Sequence, residues 1–157
     1  MICIVQARMS SKRLPGKSLL KMKKKFILER VIDNLYLSKK IKKIIVATSN
    51  KKSDNQIVNF CKKRNILFTR GSLRNVALRY IKTLKSYPCK FFLRITGDSP
   101  LIDYKIIDKI ISLSKKKKFD IFTNTFPRTF PKGHSVEIIS TKVFIKFYKN
   151  FNDNQRE

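Results

Sequence analysis

Residues 2–17 read Ile2-Cys3-Ile4-Val5-Gln6-Ala7-Arg8-Met9-Ser10-Ser11-Lys12-Arg13-Leu14-Pro15-Gly16-Lys17. The apolar run Ile2 to Val5, closed by Gln6 and Ala7, predicts a strand buried in a parallel sheet. A loop rich in cations and hydroxyls follows at once. Open α/β sheets bind ligands outside the carboxyl ends of their strands. The order therefore places Arg8, Lys12, Arg13 and Lys17 at a binding crevice, where they suit a polyphosphate. Arg8 and Arg13 can grip phosphate with two parallel donors, while Lys17 is a point charge. Pro15-Gly16 supplies a rigid turn that lets backbone approach closely. Gly16-Lys17-Ser18 also matches the end of a Walker phosphate loop. Its first glycine would fall at Ser11, however, and Pro15 would sit where backbone donors are needed, so that reading is discounted.

Working outward, strand and helix patterns alternate. Ile27 to Leu37 has helical apolar spacing, and Ile44-Ile45-Val46-Ala47 is a short strand closed by Thr48-Ser49-Asn50. Ser53 or Asp54 can cap the next helix. Ile66-Leu67-Phe68 forms a third strand, and Arg70-Gly71-Ser72 turns the chain into a helix from about Asn75 to Lys85. Phe91 to Ile95 is a central strand ending at Thr96-Gly97-Asp98-Ser99-Pro100. Asp103 caps a helix through Leu113, and Asp120 to Thr123 is a fifth strand. Phe126 to Gly133 is a loop, Ser135 to Ile139 a strand, and Thr141 to Tyr148 a last helix. Strand–helix alternation implies an α/β fold with a mostly parallel sheet and right-handed crossovers.

The 157 residues fit one domain. With 42% hydrophobic and 30% charged residues, the chain has a globular composition, not a disordered one. No apolar run is long enough to span a membrane, and Arg8 follows too few apolar residues for a secretory signal. A cytoplasmic location is expected. Thirty-seven basic and ten acidic residues give a net charge of +27, which attracts any polyanion. The lysines lie largely in runs (Lys23 to Lys25, Lys39-Lys40, Lys115 to Lys118) at helix ends or turns, so a solvated surface is the first reading and nucleic acid a non-specific partner. Cys3, Cys61 and Cys89 have neither metal-site nor redox spacing and read as ordinary thiols.

Asp98 follows Gly97 at the end of a buried strand and points toward the same crevice as the first loop. Asp103 is the better helix cap, which leaves Asp98 for a metal. Mg²⁺ takes one or two carboxylates together with phosphates and waters. His134, the single histidine, reads as a solvent-facing loop residue and not as a general base.

Gln6 to Leu20 resembles the opening of sugar cytidylyltransferases of the spore-coat polysaccharide biosynthesis protein F type, and is similar to CMP-KDO and CMP-acylneuraminate synthetases. The likeness continues through Val46-Ala47-Thr48-Ser49, Arg70-Gly71-Ser72, Arg94-Ile95-Thr96-Gly97-Asp98-Ser99-Pro100-Leu101-Ile102-Asp103 and Asn124 to Pro131. The resemblance implies an α/β, Rossmann-like nucleotide-diphospho-sugar transferase fold, a mostly parallel sheet with helices on both faces, in an enzyme that joins CTP to an acidic sugar and releases pyrophosphate, for polysaccharide or glycan synthesis. It implies that Ala7 and Arg8 line the nucleotide site, that Ser11, Arg13 and Lys17 hold phosphates, and that Asp98 binds Mg²⁺. Lys17, Arg13 and Asp98 are then the catalytic candidates. Thr48, Ser49, Arg70 and Thr96 are candidates for the rest of the nucleotide. Asn124, Arg128 and Glu137 fall on the sugar side, with Arg128 facing a sugar carboxylate.

Members of that family are usually longer. The expectation is a single nucleotidyltransferase domain, 1–157, without the usual C-terminal part that helps form the sugar site, the homodimer interface and a second metal carboxylate. Leu73-Arg74-Asn75 and Lys132 to Glu137 also replace more acidic stretches. Three readings stay open here: a CTP-dependent enzyme, a non-catalytic nucleotide- or polyanion-binding domain of that fold, and a nucleic-acid-binding protein driven by charge.

Overall fold

The first strand, β1 (Ile2–Gln6), lies in the middle of a sheet and is paired in parallel on both sides. Cys3, Ile4 and Val5 have no exposed surface, as the apolar run predicts. A computed structural model describes residues 1–11 and 13–150. Lys12, one of the loop cations, and residues 151–157 lie outside the described residues.

Elements follow in the expected alternation. A hairpin of β2 (Lys21–Met22) and β3 (Lys25–Phe26) leads into α1 (Ile27–Tyr36). Then come β4 (Lys43–Ser49), α2 (Asn55–Lys63), β5 (Leu67–Gly71), α3 (Val76–Ser86), β6 (Phe91–Thr96) and α4 (Tyr104–Ser114). Two strands, β7 (Ile121–Thr123) and β8 (Glu137–Ser140), precede α5 (Thr141–Tyr148). The six-stranded sheet has the order β5-β4-β1-β6-β8-β7. Its first four strands are mutually parallel, while β8 runs antiparallel to both β6 and β7.

Period-two alternation divides the strand residues between two apolar layers. Cys3, Val5, Ile44, Val46, Leu93 and Ile95 pack with α1, α2 and α4 residues such as Leu28, Ile57 and Ile107. Ile4, Ala47, Phe92 and Ile139 pack on the opposite face with Val76, Tyr80 and Leu84 of α3, and Phe144 of α5 closes this layer. Helices therefore cover both faces. Burial pushes the Cys61 thiol up to about 12 and raises Cys3 as well, which marks them as inert core thiols.

Several local expectations shift. Arg70-Gly71 belongs to β5, because Asn50 N–H bonds to Gly71 O and extends the β4 pairing to its end. The hairpin of β2 and β3 is new, with Lys23 at φ 58 in its turn. Asp120 lies just before a short edge strand. Asp103 and Asn75 act as caps, accepting from Lys105 N and Leu78 N. Asp54 does not cap α2 with its side chain.

That carboxylate does something else. It is fully buried and accepts from Met9 N at 2.8 Å, Ser49 N at 3.0 Å and Thr48 Oγ1 at 3.1 Å. It joins the end of β4 to the start of the cationic loop. Replacing Asp54 with alanine leaves these donors without an acceptor and is expected to destabilise the fold by about 2–4 kcal/mol. Chemical denaturation measures this, and a loss below about 0.5 kcal/mol would contradict the anchoring role.

Candidate nucleotide site

The chain leaves β1 for β4 and β5 on one side and later crosses to β6 on the other. The carboxyl ends of β1 and β6 thus form the switch point where open α/β sheets carry their ligand crevice. Gln6 and Thr96, directly paired, close these strands. Gly97 N–H bonds to Gln6 O at 2.8 Å. A Cβ on Gly97 would meet Gln6 O and Leu28 Cδ1 at 3.0 Å, so glycine permits the close approach of the two strand ends.

The cationic loop folds back over this point. Gly16 adopts φ 74, and its N–H bonds to Met9 O at 2.8 Å. The left-handed backbone favours glycine there. A short 3-10 helix, Lys17–Leu19, follows and sets Lys17 facing Asp98. The result is a cleft of about 270 Å³ lined by Gln6, Ala7, Arg8, Ser11, Arg13, Lys17, Ser18, Thr96 and Asp98.

Lys17 Nζ donates to Asp98 Oδ2 at 2.7 Å, with both side chains part-exposed. Burial alone would raise the Asp98 pKa, but the Lys17 bond and charge, helped by Thr96, outweigh it and hold the carboxyl below its ordinary value. Thr96 Oγ1 is also hydrogen-bonded to Ser99 Oγ at 2.9 Å. Among the described residues, no three His, Cys, Asp or Glu side chains come together as a metal cage.

Seven of the expected site residues meet in this cleft: Ala7, Arg8, Ser11, Arg13, Lys17, Thr96 and Asp98. The others do not line it. Thr48 and Ser49 are fully buried and are occupied with Asp54. Arg70 spends its guanidinium on Ser49 O, Lys51 O and Asn55 Oδ1, all within 2.9 Å, and acts as a strut. Asn124 is buried and bridges the loop before β8, donating to His134 O and accepting from Val136 N. Arg128 is exposed, with a long contact to Ser135 Oγ at 3.4 Å. Glu137 is ion-paired with Arg94. His134 is half-buried, with Nδ1 enclosed, and so is not the solvent-facing residue expected.

Sequence reading missed three residues. Gln6 and Ser18 line the cleft; a polar residue ending an apolar strand was the signal for Gln6. Arg79 is fully buried in α3, donates only to Ser72 O, and leaves Nε and Nη2 enclosed without partners. Burial lowers its pKa, and the nearby Arg8 adds to the effect. Its signal was an arginine three residues after Val76 on the inward face of α3.

A cleft of cations and one carboxylate at the switch point invites comparison with nucleotide enzymes. The cytidylyltransferase family profile matches residues 2–154. The chain belongs to the cytidylyltransferase family. It is 39% identical over 157 residues to an uncharacterized protein of Methanocaldococcus jannaschii, a match covering 99% of this chain and 63% of that protein. It is 30% identical over 146 residues to the spore coat polysaccharide biosynthesis protein SpsF of Bacillus subtilis, covering 90% of this chain and 60% of that protein. A cytidylyltransferase structure from Leptospira borgpetersenii superposes with a TM-score of 0.94 at 32% identity, over 99% of this chain and 67% of that one. The chain thus spans about three-fifths of the length of the two sequence relatives.

Two outcomes follow from these charges. A carboxyl with a lowered native pKa stabilises the fold above its unfolded pKa, and that contribution disappears as pH falls through the native value. Lys17→Met is expected to raise the Asp98 midpoint in an NMR carboxyl titration; an unmoved midpoint would show that the pair does not form. Arg79→Met removes a buried charge with no carboxylate partner, so thermal stability is expected to be unchanged or higher. A clear drop in melting temperature would show that Arg79 is held by contacts of its own.

Proposed function

We propose that this chain builds the nucleotide-handling part of a cytidylyltransferase that transfers CMP from CTP to an acidic sugar. The observation that supports this most is the convergence of Arg8, Arg13, Lys17, Thr96 and Asp98 on one cleft at the sheet's switch point. A nucleoside triphosphate needs fixed cations, and this cleft offers Arg8, Arg13 and Lys17.

In the proposed reaction a sugar hydroxyl oxygen bonds to the α-phosphorus of CTP, and the bond from that phosphorus to the β-phosphate oxygen breaks. Pyrophosphate leaves and the hydroxyl proton is lost. Arg8 and Arg13 grip phosphate oxygens as planar forks, and Ser11 adds a hydroxyl. Lys17 turns from Asp98 toward the α-phosphate, where negative charge builds during attack. Ala7 lies against the nucleotide. Asn124 and Glu137 act on the sugar side as framework residues, leaving Arg128 as the exposed cation for a sugar carboxylate.

Mg²⁺ fits Asp98 in a limited way. One carboxylate, half engaged by Lys17, suits a cation whose other ligands are phosphate oxygens and water. Bound there, Mg²⁺ would supply neutralisation of phosphate charge. No described helix is long and apolar enough to cross a membrane, and we place the activity in the cytoplasm, where CTP is found.

Calorimetric titration of CTP, ATP, GTP and UTP, with and without Mg²⁺ at moderately high salt, tests this reading. Salt suppresses loose binding to a +27 surface. Selective CTP binding that Mg²⁺ strengthens is expected, and Asp98→Ala should abolish the Mg²⁺-dependent part. Equal weak binding of all four nucleotides, fading with salt, would leave only a basic surface.

A further inference from the structure

Gln6 brings to the cleft a donor that carries no charge. It closes β1 and lines the cleft beside Thr96 and Asp98. A free glutamine amide can present either its carbonyl or its NH₂ to a ligand. Here the choice is made from beneath.

The chain of bonds starts at Glu137 on β8. Its carboxylate pairs with Arg94, the residue opposite it on β6. Arg94 also reaches the hydroxyl oxygen of Tyr80, which is 2% exposed in α3. A guanidinium has donors only, so toward it the Tyr80 oxygen can act only as an acceptor. The single Tyr80 proton then goes elsewhere, and Tyr80 Oη donates to Gln6 Oε1 at 3.3 Å. That bond occupies the carbonyl end of the amide. Gln6 Nε2 has no partner among the described residues, and the cleft is the space that remains to it. The directions are set by Arg94, which can only donate, and by Glu137, which can only accept.

We propose that Gln6 is a nucleotide-binding residue, donating from Nε2 to an oxygen acceptor of the bound nucleotide, and that Tyr80, Arg94 and Glu137 are positioning residues that fix this polarity. The inference rests on the nucleotide reading of the cleft. A ligand that presents an N–H at this point meets donor against donor and is disfavoured.

The test uses the whole chain and two probes, CTP and inorganic tripolyphosphate, titrated calorimetrically at one salt concentration. Gln6→Leu is expected to weaken CTP binding about tenfold, and Tyr80→Phe about three- to tenfold. Gln6→Glu keeps the shape but puts a carboxylate oxygen where the donor was, so it should lose more than Gln6→Leu. In the double variant, Tyr80→Phe should add nothing to Gln6→Leu, because Tyr80 acts through Gln6. A general packing defect would instead add in full. Melting curves of each variant show that it is folded. Parallel loss of tripolyphosphate affinity assigns the acceptor to a phosphate oxygen; loss confined to CTP assigns it to the nucleoside half. Wild-type affinity for CTP in Gln6→Glu and Tyr80→Phe overturns the proposal, as does an undiminished Tyr80→Phe effect in the double variant. Wild-type protein that binds neither probe defeats the nucleotide reading itself, a result distinct from failure at Gln6.

Discussion

A carboxylate without exposed surface, that of Asp54, holds the end of β4 and the start of the cationic loop together. A buried carboxylate is costly unless its oxygens are satisfied, and here backbone and hydroxyl donors satisfy them. The loop from Arg8 to Lys17 carries too much like charge to settle by itself. Its first turn is instead set by Met9 N on Asp54, and its last by Gly16 N on Met9 O. The cleft takes its shape because the start of that loop is held through Asp54 to the end of β4, and its end closes back onto Met9.

The sheet was largely legible in the residues. The apolar runs Ile2 to Val5 and Ile44 to Ala47, and Phe91 to Ile95 broken by Arg94 alone, read as strands covered on both sides, and they became central parallel strands. The edge was harder. Ile121 to Thr123 is short and half-exposed, and it pairs antiparallel with β8, a strand that comes after it in the chain. Nothing in a sequence window shows such a return. The Lys21 to Phe26 hairpin was equally silent, since its turn uses Lys23 in a conformation more often taken by glycine or asparagine.

For the site, residues next to glycine and at strand ends were readable: Arg8, Lys17 and Asp98 converge as their spacing predicts. Residues whose chemistry is consumed by neighbours were not. Thr48, Ser49, Arg70 and Asn124 have the right types for binding, yet each is bonded within the protein. Sequence gives a side chain's capacity for hydrogen bonds, and only tertiary structure shows how much of it is already used. Arg79 is the reverse case, a cation hidden in a helix with capacity left over.

The lysine runs bear on the kinetics of encounter. Lys23 and Lys24 form the hairpin turn and Lys25 opens β3, Lys39-Lys40 follow α1, and Lys115 to Lys118 follow α4, all at the surface. None of them lines the cleft. They form a long-range field that draws polyanions inward without contacting them at the end. Arrival and departure are therefore governed by different parts of the molecule. On the proposed nucleotide reading, the surface sets how fast a triphosphate reaches the protein, and ionic strength tunes that rate. The cleft sets how long it stays.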